Sequence, residues 1–187
     1  MKSYQITDYI HNILEQHVAV GDVCIDATVG NGHDTLKLCK LAGATGQVYG
    51  FDIQPVALEH TKALLEKKKV IHTARLILDS HAHMDQYLPP ESVSCIVFNF
   101  GYLPSGDHAL STKADTSMEA ISKGLSLLKK GGIMTLCIYS GRDSGFEERD
   151  ALLQYLKQLD SKKYLVILSC YYNRPNHPPI PVLVVKQ

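Results

Sequence analysis

Val23-Cys-Ile-Asp-Ala-Thr-Val-Gly-Asn-Gly-His-Asp-Thr-Leu-Lys37 is the stretch that decides the fold class. Its apolar start, Val23 to Ile25, meets an acid, Asp26, then a glycine-bearing turn, Gly30-Asn31-Gly32, then a helix-like pattern. The order predicts a strand that runs into a tight loop and out into a helix. Gly30 and Gly32 can take positive φ and let a ligand approach the backbone closely. The loop also brings the free N–H groups of a helix N-terminus to whatever binds there. In an α/β nucleotide-binding protein the first such turn is where the cofactor sits.

Upstream, residues 4–17 place Ile6, Ile10, Ile13, Leu14 and His17 at helical spacing. Downstream, Gln47 to Asp52 predicts a second strand ending in an acid, and Gln54 to Lys69 a helix with Pro55 in its first turn. A third strand, Ala74 to Asp79, also ends in an acid and runs into Ser80-His81-Ala82-His83. The fourth, Val93 to Asn99, leads into a long polar loop that reaches His108. A helix is expected from about Thr112 to Leu128, a turn at Lys129-Lys-Gly-Gly132, a fifth strand from Ile133 to Tyr139, and a helix ending near Leu159. The last two strands, Tyr164 to Tyr172 and Pro181 to Lys186, are separated by a short proline-rich segment. A parallel pair needs a crossover of about a dozen residues, so an antiparallel hairpin is expected. The fold class is α/β: near-continuous apolar strands buried on both faces, helices on either side, and a closing antiparallel hairpin.

A chain of 187 residues suits one domain. Hydrophobic content of 45% and charged content of 20% fit neither a disordered nor a membrane class. No apolar run approaches the ~20 residues a bilayer span requires. The N-terminus leads into a mixed polar helix and not a signal-peptide core, so a cytoplasmic location is expected. With 19 basic against 19 acidic residues, a generic nucleic-acid coat is disfavoured, though a local basic patch can still hold a structured RNA. Five cysteines form no Cys-x-x-Cys pair and are expected to be small buried hydrophobes in a reducing compartment.

Two cofactors compete for the first turn. The dinucleotide fingerprint needs a third small residue after Gly-x-Gly, and here His33-Asp34-Thr35 follow Gly32. The alternative is S-adenosylmethionine, which has no pyrophosphate to cradle. Asp52 can accept both ribose hydroxyls, and Asp26 can reach the methionine ammonium directly or through water. The closing hairpin points the same way. The candidate cofactor residues are Asp26, Thr28, Gly30, Asn31, Gly32, His33, Asp34, Thr35, Asp52, Ile53, Gln54, Asp79, Ser80, His81 and Asn99. His81 and His83 lack a companion carboxylate–histidine cluster at ligand spacing, so no metal is expected and Ser80-His81 are assigned to the adenine.

The segments Asp26 to Thr35, Phe51-Asp-Ile-Gln54, Asp79-Ser-His-Ala-His83 and Asn99-Phe-Gly-Tyr-Leu-Pro104 together resemble the bacterial tRNA wobble-uridine methyltransferase family, formerly labelled rRNA methylase. The resemblance extends over essentially the whole chain, including Asn176-His-Pro-Pro179. It implies the seven-stranded, Rossmann-like class I methyltransferase sheet. It also implies conversion of 5-aminomethyl-2-thiouridine to 5-methylaminomethyl-2-thiouridine in a tRNA anticodon stem-loop. The family loop reads Gly-Tyr-Leu-Pro-Gly-Gly-Asp-Lys; Ser105 and His108 depart from it.

Asn99-Phe-Gly-Tyr102 stands where amino-directed methyltransferases carry Asn/Asp-Pro-Pro-Tyr/Phe. An Asn oxygen can accept an amine hydrogen and aim the lone pair, and an aromatic can stack on an unstacked base. Asn99, Tyr102, Asp107 and His108 are the candidate catalytic residues. His108, with Asp107 and His177, would serve if a base is needed beyond a desolvating pocket. Lys113, Arg142, Arg174 and His177 are the candidate RNA contacts. An rRNA or small-amine substrate, and a nonenzymatic binding scaffold, are the competing functions; an exposed apolar strand edge leaves room for a homodimer.

Overall fold

The computed structural model describes residues 4–100, 114–140 and 145–187 of the chain. Helix α1 (Ile6–His17) precedes β1 (Val23–Asp26), α2 (His33–Ala42), β2 (Gln47–Asp52), α3 (Pro55–Lys67) and β3 (Ala74–Leu78). Then come β4 (Val93–Phe100), α4 (Ala114–Leu127), β5 (Leu128–Ile138), α5 (Gly145–Lys157), β6 (Tyr164–Leu168) and β7 (Ile180–Lys186). Two 3₁₀ turns, Ile71–Thr73 and His81–Gln86, flank β3.

The seven strands form one sheet in the order β3-β2-β1-β4-β5-β7-β6. Strands β1 to β5 are parallel, and β7 runs antiparallel to both β5 and β6. The expected hairpin is present, but its second strand is the one that joins the sheet. Because β7 is inserted between β5 and β6, β6 is left at the edge with Leu165, Ile167 and Leu168 about half exposed.

Alternate strand residues serve opposite layers, which is why the strands read as continuous apolar runs. Cys24, Cys95 and Val97 pack with Ile10, Leu14, Leu38 and Leu65 of α1, α2 and α3. Ile25, Ile96 and Phe98 pack with Ile121, Leu125, Leu152 and Leu156 of α4 and α5. On α1 the i, i+4 pair Ile10 and Leu14 is buried, so the helical spacing is the buried stripe. Truncating a side chain as buried as Leu14 to alanine costs about 2–5 kcal/mol.

Three sequence expectations shift. Strand β5 begins at Leu128, because Lys129 to Gly132 are taken up as a bulge: Val93 pairs with Leu128 and Cys95 with Ile133. Strand β6 stops at Leu168, so Cys170 is exposed beyond it, while Cys24, Cys39, Cys95 and Cys137 are buried. Strand β1, expected from the sequence to run from Val23 to Thr28, ends at Asp26, where the backbone turns into the glycine loop.

This order places the site. From β1 the chain winds outward to β2 and β3, then crosses back to β4 on the other side of β1. Helices leave in opposite directions at that point, and a crevice opens at the C-terminal ends of β1 and β4.

Candidate active site

The glycine loop is braced from two sides, by the end of β2 and by α3. Gly30 (φ 51°) and Gly32 (φ 75°) both sit in the left-handed region, and Gly32 caps α2 without a side-chain partner. Gly30 donates its N–H to Asp52 Oδ2 at 2.9 Å, which joins the loop to the end of β2. Behind the loop, Thr61 of α3 donates to the Gly30 carbonyl at 3.3 Å. A Cβ on Gly32 would lie 2.5 Å from Thr61 Oγ1, so only glycine fits between the loop and α3. Thr61 belongs to no motif, and only the packing of α3 on α2 reveals it.

Asp26 has no exposed surface. It accepts from Thr35 Oγ1 at 2.6 Å and from the Thr28 N–H at 3.2 Å. The carboxyl therefore forms the inner frame of the loop, with Asn31 and His33 exposed outside it. Burial, reinforced by Asp34, pushes its pKa up to about 7 against the two hydrogen bonds that favour the charge. A raised folded-state pKa means stability that is complete below the ordinary carboxylate range, near 4, and lost as pH rises through about 7. Asp26→Asn is expected to gain melting temperature relative to the native protein between pH 5 and pH 8 on the order of a few degrees. A difference between the two that stays constant across that range would contradict the assignment.

Asp52 divides its oxygens. Oδ2 accepts from Gly30, and Oδ1 accepts from the Gln54 N–H at 2.9 Å. A carboxylate offers about four lone-pair sites, so two backbone bonds fix its orientation and leave acceptor capacity. Ile53, next to it, is 51% exposed, while Gln54 is buried.

Asp79 lies one residue beyond β3. Its Oδ1 accepts from the Ser80 N–H and from His83 Nδ1, each at 2.7 Å, and its Oδ2 accepts from the Tyr87 hydroxyl at 2.9 Å. The His83 and Tyr87 hydrogen bonds hold its pKa below the usual range, so it stays a carboxylate. Ser80 caps the following 3₁₀ turn by accepting from the Ala82 N–H. His81 Nδ1 is 3.2 Å from the Ala27 carbonyl, which can only accept, so Nδ1 carries the proton and Nε2 is the acceptor. Burial lowers its pKa, and its ring meets Phe98 and Phe100 edge-on. His81 and His83 thus serve different partners.

At the end of β4, Asn99 closes the crevice. Its backbone N–H donates to Thr28 Oγ1 at 2.7 Å, and its Nδ2 donates to Asp34 Oδ2 at 2.6 Å. The glycine loop and the last turn of β4, 71 residues apart for the first bond, become one surface. Asp34 is held on its other oxygen by His11, a residue that sequence reading passes over because it occurs on the polar side of an amphipathic pattern.

Tyr102, Asp107, His108, Lys113 and Arg142 lie outside the described residues. Arg174 and His177 lie in the connection leading into β7. Ile180, where β7 starts, pairs with Ile138 at the C-terminal end of β5, so this connection is on the same edge of the sheet as the crevice. The His177 ring meets Phe146 edge-on at 5.2 Å, and the Arg149 guanidinium lies 4.8 Å over the same phenyl ring. Phe146 and Arg149, both of α5, are brought beside His177 by packing and belong to no sequence motif.

A parallel sheet with an antiparallel strand inserted next to last, and a glycine loop facing strand-end acids at its switch point, define a class I S-adenosylmethionine-dependent methyltransferase. The sequence profile of the family described as "Putative rRNA methylase" matches residues 48–185, and the chain belongs to that family. A "tRNA (mnm(5)s(2)U34)-methyltransferase, chloroplastic" of Arabidopsis thaliana is 34% identical over 187 residues, covering 95% of this chain and 67% of that protein. The crystal structure of an rRNA-methylase family protein from Clostridium thermocellum is 42% identical, with a TM-score of 0.96 and full coverage of both chains. That of a Streptococcus mutans methyltransferase in complex with SAH is 34% identical, with a TM-score of 0.89 and 99% coverage of both. The donor set around the glycine loop suits the same ligand, and S-adenosylmethionine is the cofactor.

Proposed function

We propose that the protein methylates the primary amine of 5-aminomethyl-2-thiouridine at the wobble position of tRNA. The observation that carries this reading is Asn99: a carboxamide held on both its backbone and its side chain, at the mouth of the cofactor crevice. The name of the Arabidopsis relative supports the choice of acceptor.

When bound, S-adenosylmethionine supplies a methyl carbon on a cationic sulfur, open to in-line attack by an amine lone pair. In our reading Asp52 would accept the two ribose hydroxyls, and the glycine loop from Thr28 to Gly32, Asn31 included, would hold the methionine end together with His33, Asp34 and Thr35 at the start of α2. Ile53 would offer the adenine an apolar face, with Asp79, Ser80 and the His81 Nε2 acceptor as its candidate polar partners. Asn99 accepts an amine hydrogen through Oδ1, which orients the nitrogen. The alkylammonium must lose a proton before the nitrogen–carbon bond forms and the carbon–sulfur bond breaks, and a desolvated crevice favours that loss. By the sequence pattern Tyr102 is the candidate to stack on the base, and Asp107 and His108 are the candidate bases. The RNA backbone is met by Lys113, Arg142, Arg174 and His177, the last beside the Phe146–Arg149 pair. Stacking and cationic contacts of that kind suit a single-stranded loop.

Nucleoside mass spectrometry on tRNA from a strain lacking the gene is the test. Accumulation of 5-aminomethyl-2-thiouridine with loss of its N-methyl product is expected. An unchanged wobble profile, together with a missing methyl group in rRNA, would move the assignment to the ribosomal substrate in the family's description.

A further inference from the structure

Three side chains from three elements form a continuous chain behind the crevice. His11 Nε2 of α1 lies 2.6 Å from Asp34 Oδ1, and Asp34 Oδ2 of α2 lies 2.6 Å from Asn99 Nδ2 of β4. Asp34 and His11 are only 14% and 20% exposed, so water competes little for either bond.

The chemistry of the middle member determines the ends. An ionised carboxylate can only accept, so both of its neighbours must donate. Asn99 therefore turns its NH₂ toward Asp34 and its Oδ1 the opposite way. The two ends of a carboxamide have nearly the same shape, and only a hydrogen-bond partner of one polarity distinguishes them. A flipped amide would present donors to a substrate amine that has hydrogens of its own to place.

Asp34 needs holding. Asp26 of β1 repels it when ionised, and Cys137 of β5 and Tyr139, one residue beyond that strand, lie within its electrostatic reach. One bond to Asn99 leaves the carboxylate able to rotate about its side-chain torsion; a second, on the other oxygen, stops it. His11 supplies the second, and it donates from Nε2 whether the ring is neutral in that tautomer or protonated.

We propose that His11 is a positioning residue for methyl transfer: acting through Asp34, it fixes the Asn99 carboxamide with its oxygen facing the acceptor amine. This rests on the amine-aiming role of Asn99 given above. Nothing in the motif pattern singles out His11; the contact arises from the packing of α1 on α2 and the sheet.

Two variants of the full chain test it. His11→Leu removes the donor, and His11→Gln restores one of comparable reach. The Asn99 side-chain amide signals of ¹⁵N-labelled protein, recorded without cofactor or RNA, are the first readout. His11→Leu should move the Asp34-bonded proton upfield and speed its exchange, and His11→Gln should return both toward the native values. The second readout is tRNA methylation. His11→Leu should lower kcat about tenfold or more, with the dissociation constant for S-adenosylmethionine changed less than about twofold, and His11→Gln should recover most of the rate. A native Asn99 amide signal in His11→Leu overturns the proposal whatever the activity. Equal losses in the two variants overturn it as well. If the native protein does not methylate tRNA, the acceptor assignment fails, and the amide signal still decides whether His11 holds Asn99.

Discussion

Asp52→Ala is expected to abolish measurable binding of S-adenosylmethionine in calorimetry. The carboxylate is placed twice over, by the Gly30 N–H on one oxygen and the Gln54 N–H on the other, each at 2.9 Å. Those bonds set its direction at the end of β2, and the remaining lone pairs are what a vicinal diol would use. A hydrogen bond to a charged group contributes about 1.5–3 kcal/mol, so losing two weakens binding by roughly 10²- to 10⁴-fold. Alanine also frees the Gly30 N–H, which loosens the loop on the side opposite Thr61. Both consequences act on affinity, and neither acts on the acceptor. Binding retained within about tenfold would show that the ribose lies elsewhere.

Asn99→Ala should have the opposite profile. Its backbone N–H still reaches Thr28, so the glycine loop keeps its tie to β4, and His11 still holds Asp34. Cofactor affinity should change by less than about threefold, while turnover falls on the order of 10²-fold, the scale on which a misaimed nucleophile loses rate. Calorimetry with cofactor alone and single-turnover methylation of tRNA separate the two effects. Equal losses in affinity and turnover would contradict the aiming role and make Asn99 a cofactor ligand only.

Much of this site is legible in the chain because its parts are local. An apolar run followed by an acid and two closely spaced glycines states a strand, a tight turn and a helix start within fifteen residues, and each signal depends on neighbours in sequence. The acids Asp26, Asp52 and Asp79 could be found at strand ends for the same reason. Their different environments could not. Asp26 is wholly enclosed, Asp52 braces the loop, and Asp79 is tied to His83 and Tyr87, differences that depend on which elements pack above each strand end.

The fifteen residues from Val23 to Lys37, with the acids and the proline-rich connection before the last strand, determine by themselves an α/β sheet with a sulfonium-cofactor turn and an antiparallel end. Backbone periodicity, glycine φ freedom and crossover length are properties of short segments, and they survive without knowledge of the rest. The insertion of β7 between β5 and β6, the wedge of Thr61 against Gly32, and the His11–Asp34–Asn99 chain were decided only by the tertiary structure. Each depends on which apolar faces bury one another across tens of residues, and burial of that kind fixes the polar contacts that ride on it.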